Sequence, residues 1–389
     1  MCDKYSTNRG NRLTLQIINS LFEKMNRAIT YIFAALMLLV ATTAARAQED
    51  MKIVVGADFD TYFDNREYAG SEIGESGTFF SSRLTPKVGV KWNDKNSLIF
   101  GVDLWSDFGD VTNFFAKARP QAYYRFASDK VRAYAGIFSR EEMIGDYSEL
   151  FFSESERFYQ NRVQGFMGQY LGNRGSVELS IDWCGMYSVA SREKFRILSA
   201  GRYWFDNYHR HFYGGYALQM FHYAGSETIS NCVVDNLIVN PYVGARFNAY
   251  FDFDVRLHYI QTLQRDRANE DKFRTPLGGM LQVRMEKWGV YLDEQLFVGN
   301  DLLPYYSSFR SDAFPAGYGA DLYSSERFFG TTSNVYNNTK IGYNRSFFDN
   351  TLKVNAYIAM QYDGQMWGTK QVVQLSVRLL KDISLTKKR

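Results

Sequence analysis

The chain is poor in the residues that usually staple, break or catalyse. It carries three cysteines, six prolines and four histidines in 389 residues. Cys2 lies far upstream, so Cys184 and Cys232 remain. They permit one disulfide or two free thiols, but no disulfide scaffold, and two unpaired thiols are the simpler reading. With so little proline, long stretches keep every backbone N–H for a hydrogen-bonded ladder. The few histidines come without further ligands at metal-binding spacing, so no metal and no cofactor is expected. No Gly-rich phosphate loop and no nucleophile–base pair stands in the sequence, which argues against an enzyme. Charge of one sign is lacking too: 45 basic residues face 42 acidic ones, net +3. No nucleic-acid partner is implied by so even a balance. Beyond residue 47 there is no run of the ~18 apolar residues that a membrane-crossing helix requires.

One apolar run does occur, near the start. Met25-Asn26-Arg27 precedes the stretch from Ala28 to Ala41, and Ala45-Arg46-Ala47 follows. A basic start, a short apolar core and a small-x-small ending describe a secretory signal peptide over 25–47, cleaved after Ala47. Residues 1–24 read as an upstream extension that does not belong to the native chain. Residues 48–389 form a single domain.

What that domain has in abundance is alternation. Ser82, Leu84, Pro86, Val88, Val90 and Trp92 share one face of a segment, and Arg83, Thr85, Lys87, Gly89 and Lys91 share the other. Strand side chains point to opposite faces with period two, so one face meets an apolar medium and the other meets water and charge. About sixteen such segments follow one another, nearly all with Arg, Lys or Asp on the polar face, the pattern of a barrel that is apolar outside and polar within. Aromatics at 17% suit the two interfacial girdles of such a barrel. The connectors alternate as well. Short turns such as 93–96, 127–130, 172–175, 287–289 and 348–350 take turns with long links at 65–78, 141–161, 224–236 and 300–333. The fold expected is therefore all-β: a transmembrane antiparallel β-barrel of about 16 strands, with short periplasmic turns and long extracellular loops. Among the strands read from the pattern are 51–64, 272–286 and 370–380.

On these segments and connectors the chain resembles the sixteen-stranded outer-membrane porin superfamily of Gram-negative bacteria. The resemblance covers residues 48–389 and is one of architecture. It implies a multi-pass protein of the outer membrane, inserted by the barrel-assembly machinery, in contact with outer-membrane lipid, with a homo-oligomer as a further partner state. It also implies that the third loop folds inward as a constriction.

The lumen is then the candidate site. Alternation points Arg83, Lys87, Lys91, Arg119, Arg125, Arg132, Arg140, Arg196, Arg202, Arg246, Arg256, Arg274, Arg284 and Arg378 inward, against the acids Asp58, Asp60, Asp103, Asp107, Asp182 and Asp254. Arg83, Lys87 and Lys91 make a ladder down one strand. The excess of cations reads as an anion-concentrating channel, and the planar fork of arginine suits carboxylate, sulfate or phosphate groups. Cross-strand pairing of these charges, leaving a near-neutral lumen, is the competing reading. The third loop carries Glu141, Glu142, Asp146, Glu149, Glu154 and Glu156, either as acids facing an arginine wall or as a solvated surface loop. The 300–333 connector is crowded with rings, among them Tyr305, Tyr306, Phe309, Phe314, Tyr318, Phe328 and Phe329, which serve as a self-packed lid or as contacts to a ligand. Glu294 falls among Val290, Leu292, Leu296 and Val298 on the apolar register and marks a bulge, a protomer interface or a slipped register. The function expected is a channel for passive diffusion of small hydrophilic solutes, with anionic solutes favoured. A non-conducting scaffold or surface-recognition barrel is the alternative, and a barrel enzyme comes third.

Overall fold

A computed structural model of the chain describes residues 51–110, 117–206, 211–229, 233–306, 317–330 and 333–384. The signal peptide, Cys232, Phe309 and Phe314 lie outside the described residues.

Sixteen strands form the chain: β1 (Lys52–Glu67), β2 (Gly77–Trp92), β3 (Asn96–Asp107), β4 (Lys117–Ala127), β5 (Val131–Ser139), β6 (Arg162–Leu171), β7 (Gly175–Gly185) and β8 (Lys194–Trp204), then β9 (Phe212–Tyr223), β10 (Val234–Asn248), β11 (Asp252–Asp266), β12 (Leu277–Lys287), β13 (Val290–Gly299), β14 (Val335–Phe347), β15 (Leu352–Tyr362) and β16 (Trp367–Ser384). Every strand pairs antiparallel with its sequence neighbours. β1 closes on β16 from Lys52↔Ser384 to Glu67↔Thr369, so no edge remains. Closure is what hydrocarbon demands, because an unpaired N–H or C=O there costs several kcal/mol. No described helix is long and apolar enough to cross a membrane; the strands cross it. The chain is thus a multi-pass outer-membrane barrel, as its alternation predicts.

The outward faces carry Leu84, Leu98, Phe166, Leu179, Leu257, Leu281, Ile341 and Ile358, all exposed. The inward faces of the barrel strands bury Arg83, Asp103, Asp182, Arg196, Lys340 and Lys370. The short turns have the backbone their residues favour: Asn93 and Asp94 take φ of 42° and 54°, and Trp288-Gly289 takes 58° and 88°, left-handed values that match the twist of tight hairpins.

The strand boundaries depart furthest from the sequence pattern at β1, β10, β12 and β16. β12 begins at Leu277 and not at 272, because Pro276 has no N–H to donate; only its carbonyl joins, accepting from Thr262 N at 3.0 Å. β1 runs past 64 to Glu67, paired with Thr369 beyond the last apolar residue of its outer face, and β16 runs past 380 to Ser384, paired with Lys52, with Ile383 still exposed on the outer face. Glu294 lies on the outer face of β13, and the register to both neighbours is unbroken across it, with Val283 on one side and Thr339 on the other. That removes the bulge and the slipped register as explanations. Its carboxylate accepts hydrogen bonds from Asn337 Nδ2 and from Thr339 Oγ1, so three polar side chains satisfy one another on the lipid-facing wall.

Candidate functional site: the lumen and its two inward loops

Between β5 and β6 the chain makes a 3-10 turn at Arg140–Glu142 and a short helix, α1 (Glu154–Tyr159), capped by Ser153, whose Oγ accepts from Glu156 N at 3.1 Å. This loop crosses the barrel. Glu149 pairs with Lys340 on β14, which stands seven strands from β5 around the ring of sixteen. Glu154 accepts from Tyr357 Oη on β15 at 2.7 Å, Glu156 lies 3.6 Å from Arg196 on β8, and Asp146 meets Arg256 on β11 at 2.7 Å and Arg202 on β8. Glu141 binds Arg378 on β16 at 2.6 Å. Glu142 stays close to its origin and accepts from Tyr134 Oη at 2.9 Å. In Asp146, burial alone would push the carboxyl up, but the guanidiniums of Arg256 and Arg202 outweigh it and hold it below the usual carboxylate range.

The second inward segment is the described part of 300–333. Leu302 O accepts from Thr262 and Gln264 of β11, both at 2.7 Å. Glu326 accepts from Lys370 Nζ of β16 at 3.1 Å, and its N–H donates to Glu149 O at 2.7 Å. Tyr305, Tyr318, Tyr323, Phe328 and Phe329 are buried in one cluster with Tyr147, Phe151 and Phe152 of the other loop. The two loops therefore pack on each other across the lumen. Glu326 is buried, yet Lys370 and Arg66 outweigh that burial and hold its carboxyl low. The rings of this segment are committed to packing, which leaves little of them for a ligand.

The wall cations fall into two groups. The Arg83, Lys87, Lys91 ladder is compensated: Arg83 meets Asp60 at 2.7 Å, Lys87 meets Asp58, and Lys91 meets Asp382 at 2.9 Å. Arg378 shares Asp60 at 2.7 Å, Arg140 meets Asp182 at 2.9 Å, and Arg246 meets Asp254 at 2.8 Å. Arg284 binds Glu286 at 2.8 Å. Arg274 stands before Pro276, outside every strand, and binds Glu270 at 2.6 Å. Asp103 accepts from Thr85 and Gln121, each at 2.7 Å, and Asp107, at the exposed end of β3, accepts from Ser81 at 2.5 Å. Arg119, Arg125 and Arg132 differ. Arg119 reaches Gln160 Oε1 at 3.1 Å and lies over Trp105, and Arg125 reaches Tyr134 Oη at 3.4 Å. None of these three has a carboxylate partner within 4.0 Å among the described residues. They make a stripe of cations without a direct ion-pair partner on β4 and β5, with Glu142 reaching Arg125 only through the Tyr134 hydroxyl.

Lys340, Lys370, Asp64 and Glu178 also face inward and escaped the sequence reading, although the same parity marks them; Arg162, on the outward parity at the start of β6, still lies 3.6 Å from Asp103. Glu326 had no such signal, since a loop has no period. Among the described residues Cys184 is a free thiol. Among the described residues no group of three or more His, Cys, Asp or Glu side chains could hold a metal ion.

Residues 45–380 match the model of the family described as lipid A 3'-O-deacylase-type. No curated protein matches the chain. Among solved structures it is similar to OpdL of Pseudomonas aeruginosa, with a TM-score of 0.49, 7% identity, and coverage of 86% of this chain and 99% of that one. OprD of Pseudomonas aeruginosa gives 0.48, 9%, 87% and 98%. A Rhodopseudomonas blastica porin triple mutant gives 0.42, 13%, 84% and 99%.

Proposed function

Given that the chain belongs to the lipid A 3'-O-deacylase-type family, we propose that this member acts as an outer-membrane channel of restricted bore for small hydrophilic solutes, with a modest preference for anions. A sixteen-stranded barrel is wide enough to leave an aqueous path unless loops fill it. Here two loops cross that lumen and meet ionic and polar side chains of its wall. The observation that carries the anion preference is the stripe of Arg119, Arg125 and Arg132. Paired charges such as Arg83–Asp60 add little field at a distance, whereas three unpaired guanidiniums on one wall raise the local anion concentration. Reversal potentials in a planar bilayer under a salt gradient test this reading. Arg125→Ser with Arg132→Ser removes the anion preference, while Arg83→Ser with Lys87→Ser leaves carboxylates exposed and shifts it toward cations. No conductance from folded protein rejects the channel, and a preference indifferent to Arg125 and Arg132 rejects the stripe.

The family's description supports a second reading, cleavage of an acyl ester on lipid A. The observation in its favour is the Glu294, Asn337 and Thr339 group, where a hydroxyl donates to a carboxylate on the wall that lipid touches. Mass spectrometry of lipid A after incubation with the purified barrel decides it. Loss of an acyl chain with the native protein and not with Glu294→Gln establishes the enzyme; intact lipid A in both leaves the channel.

A further inference from the structure

Near the short-turn ends of β7, β8, β10 and β11 the lumen holds a cavity of about 310 Å³, lined by Gly145 and Asp146 of the third loop, Ser176, Ala200, Gly201, and the guanidiniums of Arg202, Arg246 and Arg256. Small inward side chains, Ser176 and Ala200, stand on its walls, and three arginines with the one carboxylate of Asp146 give it its charge. We infer that this cavity is a binding site for a small oxyanion, a carboxylate or a phosphate, and that the Asp146 side chain occupies part of it as a built-in substitute for that ligand.

The geometry at Asp146 carries the inference. Its Oδ2 receives Arg256 Nη1 at 2.7 Å, Arg202 Nη2, and Tyr242 Oη at 3.3 Å. Two forks and a phenol converging on one carboxylate oxygen are the donor set of an oxyanion site. The donors exceed what Asp146 uses. Arg202 Nε is buried and has no acceptor, a costly state for a charged group's N–H unless a ligand or water completes it. Arg246 is anchored through Nε to Asp254 Oδ2 at 2.8 Å, and its side chain is 44% exposed. Arg256 is fixed independently of Asp146, with Nε to Tyr213 Oη at 2.8 Å and Nη2 to Asp254 Oδ2 at 3.0 Å. The forks on β10 and β11 therefore keep their places if the Asp146 carboxylate leaves. Asp146 belongs to a loop, the arginines to the barrel wall, so an incoming oxyanion competes with the loop for the same donors.

The site stands apart from the stripe on β4 and β5 and from any question of conduction. Its test is calorimetric titration of inorganic phosphate, and separately of acetate, into the detergent-solubilised full-length barrel at constant ionic strength, with chloride as the control. The expected pattern is saturable binding of either oxyanion and none of chloride. Asp146→Asn, which removes the internal competitor, tightens binding roughly tenfold; Arg246→Ser, which leaves the contacts of the third loop in place, weakens it by a similar factor, in protein that retains heat-modifiable migration. No saturable binding by Asp146→Asn, or binding indifferent to Arg246→Ser, overturns the site. Binding without conductance removes the channel and keeps the site; conductance without binding does the reverse.

Discussion

At the scale of single residues, the interior is a set of buried ion pairs whose members hold one another in place. Lys340 is buried between Glu149 and Glu154. Removing one member of such a group strands the others without a counter-charge and costs about 3–5 kcal/mol, whereas removing both sides is far milder. Lys340→Ala should therefore lower the thermal midpoint of the detergent-solubilised barrel markedly, and adding Glu149→Gln should recover part of the loss. Equal midpoints for the single and double variants would mean that the pair is not coupled. Asp301 behaves differently. Burial pushes its carboxyl up to about 6, against the Leu303 N–H and Arg274, which favour the charged form. A folded-state pKa above the unfolded one stabilises the loop most at low pH, below about 4, and that contribution is lost as the pH rises through about 6. Hydrogen-exchange protection around residues 301–306, corrected for intrinsic rate, should be higher at pH 4.5 than at pH 7.5, and Asp301→Asn should flatten the difference. An unchanged difference in that variant would assign the pH effect elsewhere.

At the scale of elements, the strands are long hairpin arms whose interior glycines are not equivalent. Gly136 on β5 has a φ of +120° and faces Gly165 across the β5–β6 ladder. A Cβ there would lie 2.3 Å from Ala122 O on β4, so alanine meets both an unfavourable backbone region and a neighbouring strand. Gly136→Ala should cost about 1–3 kcal/mol. Gly168 on β6 is the matched control: the methyl that alanine would add there has nothing within 4 Å, and the substitution should be tolerated. Both are read from the midpoint of heat-modifiable migration in gels, and a tolerated Gly136→Ala would show that β5 can flatten. The third loop is an element too. Its acids meet cations from β8, β11, β14 and β16, so its path is set by the far wall as much as by its own sequence.

At the scale of the molecule, the barrel is a closed frame and the loops decide its bore. Replacing residues 300–333 by a short Gly-Ser turn removes Glu326 and the ring cluster while leaving all sixteen strands intact, so conductance should rise and heat modifiability should persist. A lower conductance would mean that this segment forms the path and does not obstruct it.

The period-two pattern by itself determined that there are sixteen strands, where nearly all begin and end, and which face of each meets lipid, because one apolar face repeated on every strand leaves a single register in hydrocarbon. It missed the start of β12 only where a proline withholds its donor. The inward direction of Arg83, Asp103 and Arg256 was legible for the same reason. Their partners were not. Whether Arg83 is neutralised depends on Asp60 one strand away, and whether Arg125 is not depends on which acids the third loop delivers to which wall. Those are meetings between residues far apart in the chain, made by loops without periodicity, and only the closed tertiary structure brings them within reach of one another. The same holds for the oxyanion cavity: three arginines were visible as cations on three strands, but the meeting of Arg202 and Arg256 on Asp146, with Arg246 beside them, is a property of the closed barrel and of the loop that crosses it.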